Sequence, residues 1–425
     1  MTSHLAWTKQ VPADWTVKPL RAVSDYVVSN VDKIPVDGEP PVRLCNYSDV
    51  YNNQFITHKL DFLACTATED EIQKFALSID DVIITKDSES WDDIGIPALV
   101  VETDDDLVCG YHLALLRPHT TSLAGRFLHR CLQAKVIRIQ LELAANGVTR
   151  FGLPKSDIGA MRLPVPPIPT QLAIADYLDL ETERIDALIT VKGRVLELMA
   201  EKRRALITRA VTRGINSKVK LRDSGEPWLG EIPEQWEVER ARWLFRERDE
   251  RSETGDEEML SVSHITGVSP RSEKDVNMFE AKTNEGYKLC VPGDLVINTL
   301  WAWMGAMGIA PVEGIVSPAY NVYELRQRLI PAYIDALVRL PIFAQEVTRY
   351  SKGVWSSRLR LYPDGFFQVI LPVPPLDEQR AIADHIARET AKLDTVRIAT
   401  ERSIDLLMER RAALIAAAVT GQIEV

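Results

Sequence analysis

The sequence predicts an α+β protein made by tandem duplication: two similar α+β domains separated by two long antiparallel coiled-coil helices, with the halves related as a pseudo-two-fold internal repeat. Three observations predict it. The pentapeptide Leu163-Pro164-Val165-Pro166-Pro167 recurs as Leu371-Pro372-Val373-Pro374-Pro375. The two copies then align without a gap as far as Thr212 and Thr420, with about 23 identities over roughly 50 positions. Behind each pentapeptide, apolar residues recur at threes, fours and sevens, the period of an amphipathic or coiled-coil helix.

The first domain spans residues 1–162 and the second 221–370. Pro12-x-x-Trp15-x-Val17 opens the first and reappears as Pro233-x-x-Trp236-x-Val238 in the second. An aromatic residue at a domain entry packs inward, so Trp15 and Trp236 are expected in the cores. Asp81-Val82-Ile83-Ile84 resembles Asp294-Leu295-Val296-Ile297, and Tyr111 through Leu116-Arg117 resembles Tyr320 through Leu325-Arg326. Val82 to Thr85 and Asp294 to Asn298 read as strands, Leu123 to Ala145 and Pro331 to Tyr350 as helical segments. Late in each domain, Gly147-Val148 and Gly353-Val354 are followed by Arg150 and Arg358 and then by Leu153 and Leu361, at matching distances before the proline motif.

Two helical regions, 163–220 and 371–425, carry the closer part of the repeat. Pro-x-Pro-Pro can neither continue a helix nor pair within a central strand, so it forms a stiff extended entry. Thr170 and Asp377, or a neighbour, then start the helices, with Gln171 and Glu378-Gln379 in the first turn. Leu178, Ile185, Leu188, Val195, Met199 and Leu206 make the apolar stripe of the first helix. Ile386, Leu393, Val396, Leu407 and Leu414 make that of the second. At about 40 residues and 1.5 Å per residue each helix is roughly 60 Å long. Gly193 is a place where the first could bend. Two such stripes in one chain can cover each other antiparallel; the alternative is that each helix packs only on its own domain. The helices are alike while the domains have diverged, so the helices share one task and the domains perform two.

Composition limits the function. With 46% hydrophobic and 26% charged residues, the 425-residue chain can core two or three domains. Met1 to Gln10 lacks a leader pattern and no apolar run reaches spanning length, which predicts an unexported, cytoplasmic protein with no membrane partner. Five separated cysteines without Cys-x-x-Cys suggest buried thiols, not a disulfide framework or a zinc site. The net charge of −11 disfavours strong non-specific binding to nucleic acid by the chain alone. Acidic runs at Asp104-Asp105-Asp106 and Glu247 to Glu258 can face solvent or a partner, while Lys202, Arg203, Arg204, Arg209, Arg213, Lys218 and Lys220 form a local basic cluster, which leaves open a basic groove completed by partner subunits. Phosphate-cradling loops, amino-methyltransferase tetrapeptides and His-Glu-x-x-His are missing, so catalysis is not expected here. His58, His112, His119 and His129 lack metal-ligand spacing and read as structural, and Asp92-Asp93 as solvated loop charges.

The proline motif followed by Asp377-Glu378-Gln379-Arg380-Ala381-Ile382-Ala383, with the terminal Arg410-Arg411-Ala412-Ala413-Leu414-Ile415, resembles the helical regions of type I restriction-modification specificity subunits. Gly225-Glu226-Pro227-Trp228-Leu229-Gly230-Glu231-Ile232-Pro233 resembles the entry to that family's second target-recognition domain. Asn298 to Gly305, Ser317 to Val322 and Gly353 to Leu359 resemble one branch of those domains, so the likeness covers nearly the whole chain. It implies a non-catalytic subunit whose two recognition domains each read half of a bipartite double-stranded DNA site. It further implies helices that set the gap between the halves and dock two methyltransferase subunits, with restriction subunits as further partners. S-adenosylmethionine, and ATP with Mg, are then expected on those partner subunits, with no cofactor in this chain.

Within that resemblance, base edges call for Arg, Lys, Asn, Gln or Ser. The candidates in the first domain are Asn46, Asn52, Asn53, Lys86, Ser88, Thr149, Arg150 and Lys155. Those in the second are Asn298, Trp301, Trp303, Lys352, Trp355, Ser356, Ser357, Arg358 and Arg360. Arg150 and Arg358 lead, since both halves place Arg after a Gly-Val loop; a loop brace is the other reading of that pair, and Trp301 and Trp303 also fit a core role. The expected partner-docking residues are Leu178, Ile185, Met199, Leu206, Ile386, Leu393, Leu407 and Leu414. The competing reading is a coiled-coil protein-interaction scaffold that binds no DNA.

Overall fold

A computed structural model of the chain describes residues 3–273, 283–353 and 359–425. The chain divides into two units: residues 1–192 with 401–425, and residues 193–400. Each unit therefore holds one α+β domain together with part of both long helices.

The first unit is built on an antiparallel sheet whose strands lie in the order Ser24–Val28, Leu113–Pro118, Val82–Thr85, Pro97–Val100, with Phe55–Ile56 added parallel at the edge. Its middle strands are apolar on both faces because both are covered. Val82, Ile84 and Leu116 face a core shared with Phe127, Leu128 and Leu132 of the helix Gly125–Gln133, whereas Ile83 and Leu115 face a second core with Val42, Leu44 and Phe75. The second unit repeats the order with Phe245–Arg248, Asn321–Leu325, Leu295–Ile297 and Met307–Ile309.

The expected strands at Val82–Thr85 and Leu295–Ile297 are in place. Both expected helical segments are broken in two: Gly125–Gln133 and Lys135–Ala144 in the first unit, Pro331–Val338 and Pro341–Arg349 in the second. Pro341, without an N–H, starts a new helix at its first turn. In the first unit the break comes at Ala134, whose extended backbone (ψ 114°) redirects the chain without a proline.

The proline pentapeptide is extended as expected, but it also closes its domain. Arg162–Val165 pairs antiparallel with Thr16–Pro19, setting Pro164 opposite Val17, and Ile370–Val373 pairs with Glu237–Arg240, setting Pro372 opposite Val238. A two-stranded ladder tolerates proline because one edge of each strand needs no donor. The entrance and exit of each domain are thus tied together beside the start of its helix. Trp236 is buried in the second core and Trp15 packs against the first, as their positions predicted.

The long helices run without interruption over Ile168–Arg213 and Leu376–Val419, and Gly193 lies inside the first. They begin slightly before Thr170 and Asp377. Gln171 and Gln379, placed in the first turn by the sequence, do more than favour it. The buried Gln171 amide accepts the Ala124 N–H at 2.8 Å and donates to the carbonyls of Ser122 (2.9 Å) and Pro166 (2.8 Å). Gln379 makes the same three bonds to Ile330 N (2.8 Å), Arg328 O (2.9 Å) and Pro374 O (2.8 Å). Each glutamine latches its helix to its domain.

Within the first unit, Ile174 and Leu178 of the first helix share a core with Ile415, Ala418 and Val419 of the second. Within the second unit, Ala210 and Val211 share one with Ile382 and Ile386. In both, rising numbers on one helix meet falling numbers on the other, the antiparallel arrangement that the repeat predicted.

Candidate nucleic-acid interface

The first Gly-Val loop becomes a hairpin. In the first unit, Asn146–Gly147 pairs with Phe151–Gly152, and that strand pairs with Asp87–Ser88. The turn is tight enough that a Cβ on Gly147 would stand 1.9 Å from the Arg150 carbonyl oxygen, so glycine is required there. Leu153 N–H then bonds to the Lys86 carbonyl at 2.9 Å, fixing the hairpin beside the end of a central strand. In the second unit Lys352 and Arg360 exchange two backbone hydrogen bonds of 2.9 Å, and Leu361 N–H bonds to the Thr299 carbonyl at 3.1 Å, which is the same attachment. Trp355, Ser356, Ser357 and Arg358 lie outside the described residues.

Beneath the first hairpin runs a chain of polar contacts. Lys86 Nζ is 2.6 Å from Asp87 Oδ1, Asp87 Oδ2 is 2.6 Å from His112 Nδ1, and His112 Nε2 is 3.2 Å from Arg150 Nη2. A guanidinium only donates, so Nε2 must accept and Nδ1–H must donate to Asp87: His112 is the neutral tautomer in this arrangement. His112 holds φ at +69°, a left-handed conformation uncommon for a residue with a Cβ. Tyr47, Tyr51, Ser88, Glu89 and Asp93 complete a cleft of about 490 Å³ around His112 and Arg150. The Tyr51 hydroxyl donates to Asp93 Oδ2 at 2.6 Å, and that carboxylate raises the Tyr51 phenol above its ordinary value.

Arg150 and Thr149 are exposed on the hairpin turn, and Asn52 is exposed at the end of the helix Tyr47–Asn52. Asn46 caps that helix with Asp49, and the Asn53 amide donates to the Asp49 carbonyl at 2.9 Å, so both are engaged locally. Lys155 lies 5.6 Å over the Tyr26 ring, and Ser88 is buried. Asn298 is a correction: it is buried, donating to Tyr320 Oη at 2.9 Å and accepting Leu300 N–H at 3.2 Å, so it braces a loop and has no free edge to offer a base. Trp301 is half exposed and stacked on Trp303, with ring centres 6.4 Å apart. Trp303 donates its indole N–H to the Leu300 carbonyl at 3.0 Å. Lys352 and Arg360 are exposed where they pair.

Sequence reasoning missed Asp87, His112, Tyr47, Glu89 and Asp93 in this cleft. The available signal was local: Asp87 sits between the candidates Lys86 and Ser88, and Tyr111-His112 opens a repeated strand. Asp93 is bonded to Tyr51 and is not a plain solvated charge. Asp104 and Asp106 likewise are not free acids, since Arg43 pairs with them at 2.5 and 2.6 Å.

The basic cluster is divided. Arg203 pairs with Asp394, while Arg204, Arg209 and Arg213 line a cleft of about 700 Å³ with Thr208, Asn216 and Ser217. Against the first helix, burial pushes the His129 imidazole down to about 3, so it is neutral. Nearby, burial raises the Asp179 carboxyl, but hydrogen bonds from Arg126 and Arg130 outweigh this and hold it below the ordinary range. All five cysteines are buried free thiols. Among the described residues no His, Cys, Asp or Glu group is arranged to hold a metal ion, and no helix is long and apolar enough to cross a membrane.

The helices place the expected docking residues differently. Leu178, Ile185 and Ile386 are buried in the cores and cannot face a partner, while Met199, Leu206, Leu393, Leu407 and Leu414 are half-buried. The apolar stripe is instead uncovered at Leu188 (50% exposed) and Leu406 (48%) in the first unit, and at Val396 (51%) and Leu198 (48%) in the second. Leu188 and Val396 are counterparts in the repeat, as are Leu198 and Leu406.

Two curated relatives span the chain. One, from Methanocaldococcus jannaschii and named as the MjaX type I restriction enzyme specificity subunit, is 24% identical over 408 residues, covering 89% of this chain and 87% of its own. The other, the EcoKI specificity subunit of Escherichia coli K12, is 20% identical over 97% of this chain and 90% of its own. A solved chain from a type I restriction-modification system superposes with a TM-score of 0.73 at 15% identity, covering 97% of this chain and 99% of that one. Over nearly its whole length this chain is similar to type I restriction enzyme specificity subunits. The specificity-subunit fold is met again in the HsdS subunit of Thermoanaerobacter tengcongensis, with a TM-score of 0.56 at 15% identity over 97% of this chain and 98% of that one. No family model matches the sequence.

Proposed function

We propose that this chain is the DNA sequence-specificity subunit of a type I restriction-modification complex, each α+β domain reading one half of a bipartite duplex site. The observation that carries this reading is a contrast between repeats. Latches, ion pairs and uncovered apolar positions recur pairwise on the helices, whereas the cleft beside the first hairpin has no residue-for-residue copy in the second domain: Thr299 and Asn321 stand where the first has Lys86 and His112. Two equivalent apolar surfaces suit two copies of one partner, the methyltransferase subunit, with restriction subunits joining the assembly. Two different loop sets suit two different half-sites.

The helices act as the ruler. A 46-residue helix is about 69 Å long at 1.5 Å per residue, on the scale of two turns of DNA at roughly 34 Å each. The chain itself is non-catalytic: S-adenosylmethionine, and ATP with Mg, act on the partner subunits, in the prokaryotic cytoplasm where the genome lies. Mapping of modified bases in a strain with and without this chain tests the reading. Loss of methylation at one interrupted bipartite sequence is expected on deletion; an unchanged methylome would favour the protein scaffold that binds no DNA.

A further inference from the structure

The cleft beside the first hairpin holds one exposed guanidinium among several acids. Arg150 has five N–H donors in a planar fork, and one of them is anchored on His112 Nε2. Asp87, the acid nearest that anchor, is occupied on both oxygens, by Lys86 on Oδ1 and by His112 on Oδ2, so it orients the imidazole and does not capture the arginine. The remaining carboxylates lining the cleft are Glu89, which is exposed, and Asp93, which holds the Tyr51 hydroxyl.

A phosphate fits this lining poorly, because it would sit beside Asp87, Glu89 and Asp93. A base-pair edge fits well. Guanine presents two acceptors, O6 and N7, to a guanidinium fork, and its partner cytosine presents an N4 donor to a carboxylate. We propose that Arg150 reads the guanine of a G·C pair in the first half-site, with Glu89 facing the paired cytosine, and that His112 is the positioning residue that holds the fork in place. His112 serves this role only as the neutral tautomer, donating to Asp87 and accepting from Arg150. The ring lies between those two side chains, with Nδ1 on Asp87 and Nε2 on Arg150.

This inference rests on the reading of the first domain as a DNA reader, and the test separates the two. The complex of this chain with its methyltransferase subunits is assembled as wild type and as R150A, R150K, H112A and H112Q. Each is assayed for methylation of a library randomised across both half-sites and for binding to singly substituted sites. In R150A and H112A, preference for G·C at one position of the first half-site should fall by about tenfold or more, with every other position and the whole second half-site unchanged. H112Q, whose amide can donate to Asp87 and accept from Arg150, should keep most of the preference; R150K, a point charge without a fork, should lose it. The proposal is overturned if R150A keeps full discrimination everywhere, or if H112A weakens all sites alike without relaxing one base pair. Failure of the wild-type complex to select any bipartite site would instead overturn the proposed function.

Discussion

Arg203 Nη1 lies 2.7 Å from Asp394 Oδ1, joining the two long helices in the second unit, and the repeat counterparts of these residues, Arg411 and Asp186, pair at 2.9 Å in the first. The first helix supplies the cation in one pair and the acid in the other. Such an exchange is what a pseudo-two-fold relation between antiparallel helices requires, and a one-residue slip in register would break it. The duplicated Thr182 and Thr390 hydroxyls, bonded back to the Leu178 and Ile386 carbonyls at 2.6 and 2.8 Å, show the same doubling.

These pairs specify register and add little stability. All four side chains are between a fifth and a half exposed, so D394N or D186N should lower stability no more than an ordinary surface substitution does, and less in high salt. Denaturant unfolding at low and high salt measures this. A loss well above that size, insensitive to salt, would contradict the assignment.

The glutamine latches should matter more. Q171L leaves the buried Ala124 N–H and two carbonyls without their partner, and Q379L does the same to Ile330 N–H and its neighbours. Each change should destabilise its own unit by about 2–3 kcal/mol, since a buried group without a bond loses its solvation outright. Urea titration of each variant gives the figure; a change below the usual surface-mutation scatter would mean that water replaces the amide.

His129 makes the first unit sensitive to acid. Its folded value is about 3, against an ordinary value near 6.5 in the unfolded chain. Between those values the unfolded chain binds a proton that the folded one refuses. Stability is therefore unaffected above about pH 6.5 and falls towards pH 3, by up to about 1.4 kcal/mol per pH unit. H129Q should flatten this slope, and unfolding midpoints followed from neutral to acid pH read it. Identical slopes for both proteins would remove His129 as the cause.

The uncovered apolar pairs predict stoichiometry. Changing Leu188 and Leu406 together to Glu should leave folding of this chain nearly unchanged, because both are already about half exposed, yet reduce the methyltransferase subunits captured from two to one. Changing Leu198 and Val396 should remove the other copy. Light scattering of the purified complexes counts them, and two copies retained in both variants would place docking elsewhere.

Duplication was legible in the sequence because identities at fixed spacing need no knowledge of packing. The helical period followed from side-chain spacing, and the Gly-Val-x-Arg position marked a loop because a turn leaves local chemistry. The exchange of Arg117 for Arg248 was not legible. Asp81 and Asp294 are counterparts, but Asp81 takes Arg117 from its neighbouring strand, whereas Asp294 takes Arg248 from another strand although Arg326 stands at the repeated position. A carboxylate needs a cation in space, and strands far apart in sequence compete to supply it.

The same reason divides the rest. Residue order alone determined that there are two domains, two helices and one repeat, since periodicity and identity are properties along the chain. Only the tertiary structure decided which apolar residues of the helices are core and which remain uncovered, because burial depends on what the other helix and the domain bring to each position. It alone made Asn298 a brace, Gln171 and Gln379 latches, and His112 the link between Asp87 and Arg150. A polar side chain has no fixed role until folding decides which donors and acceptors surround it.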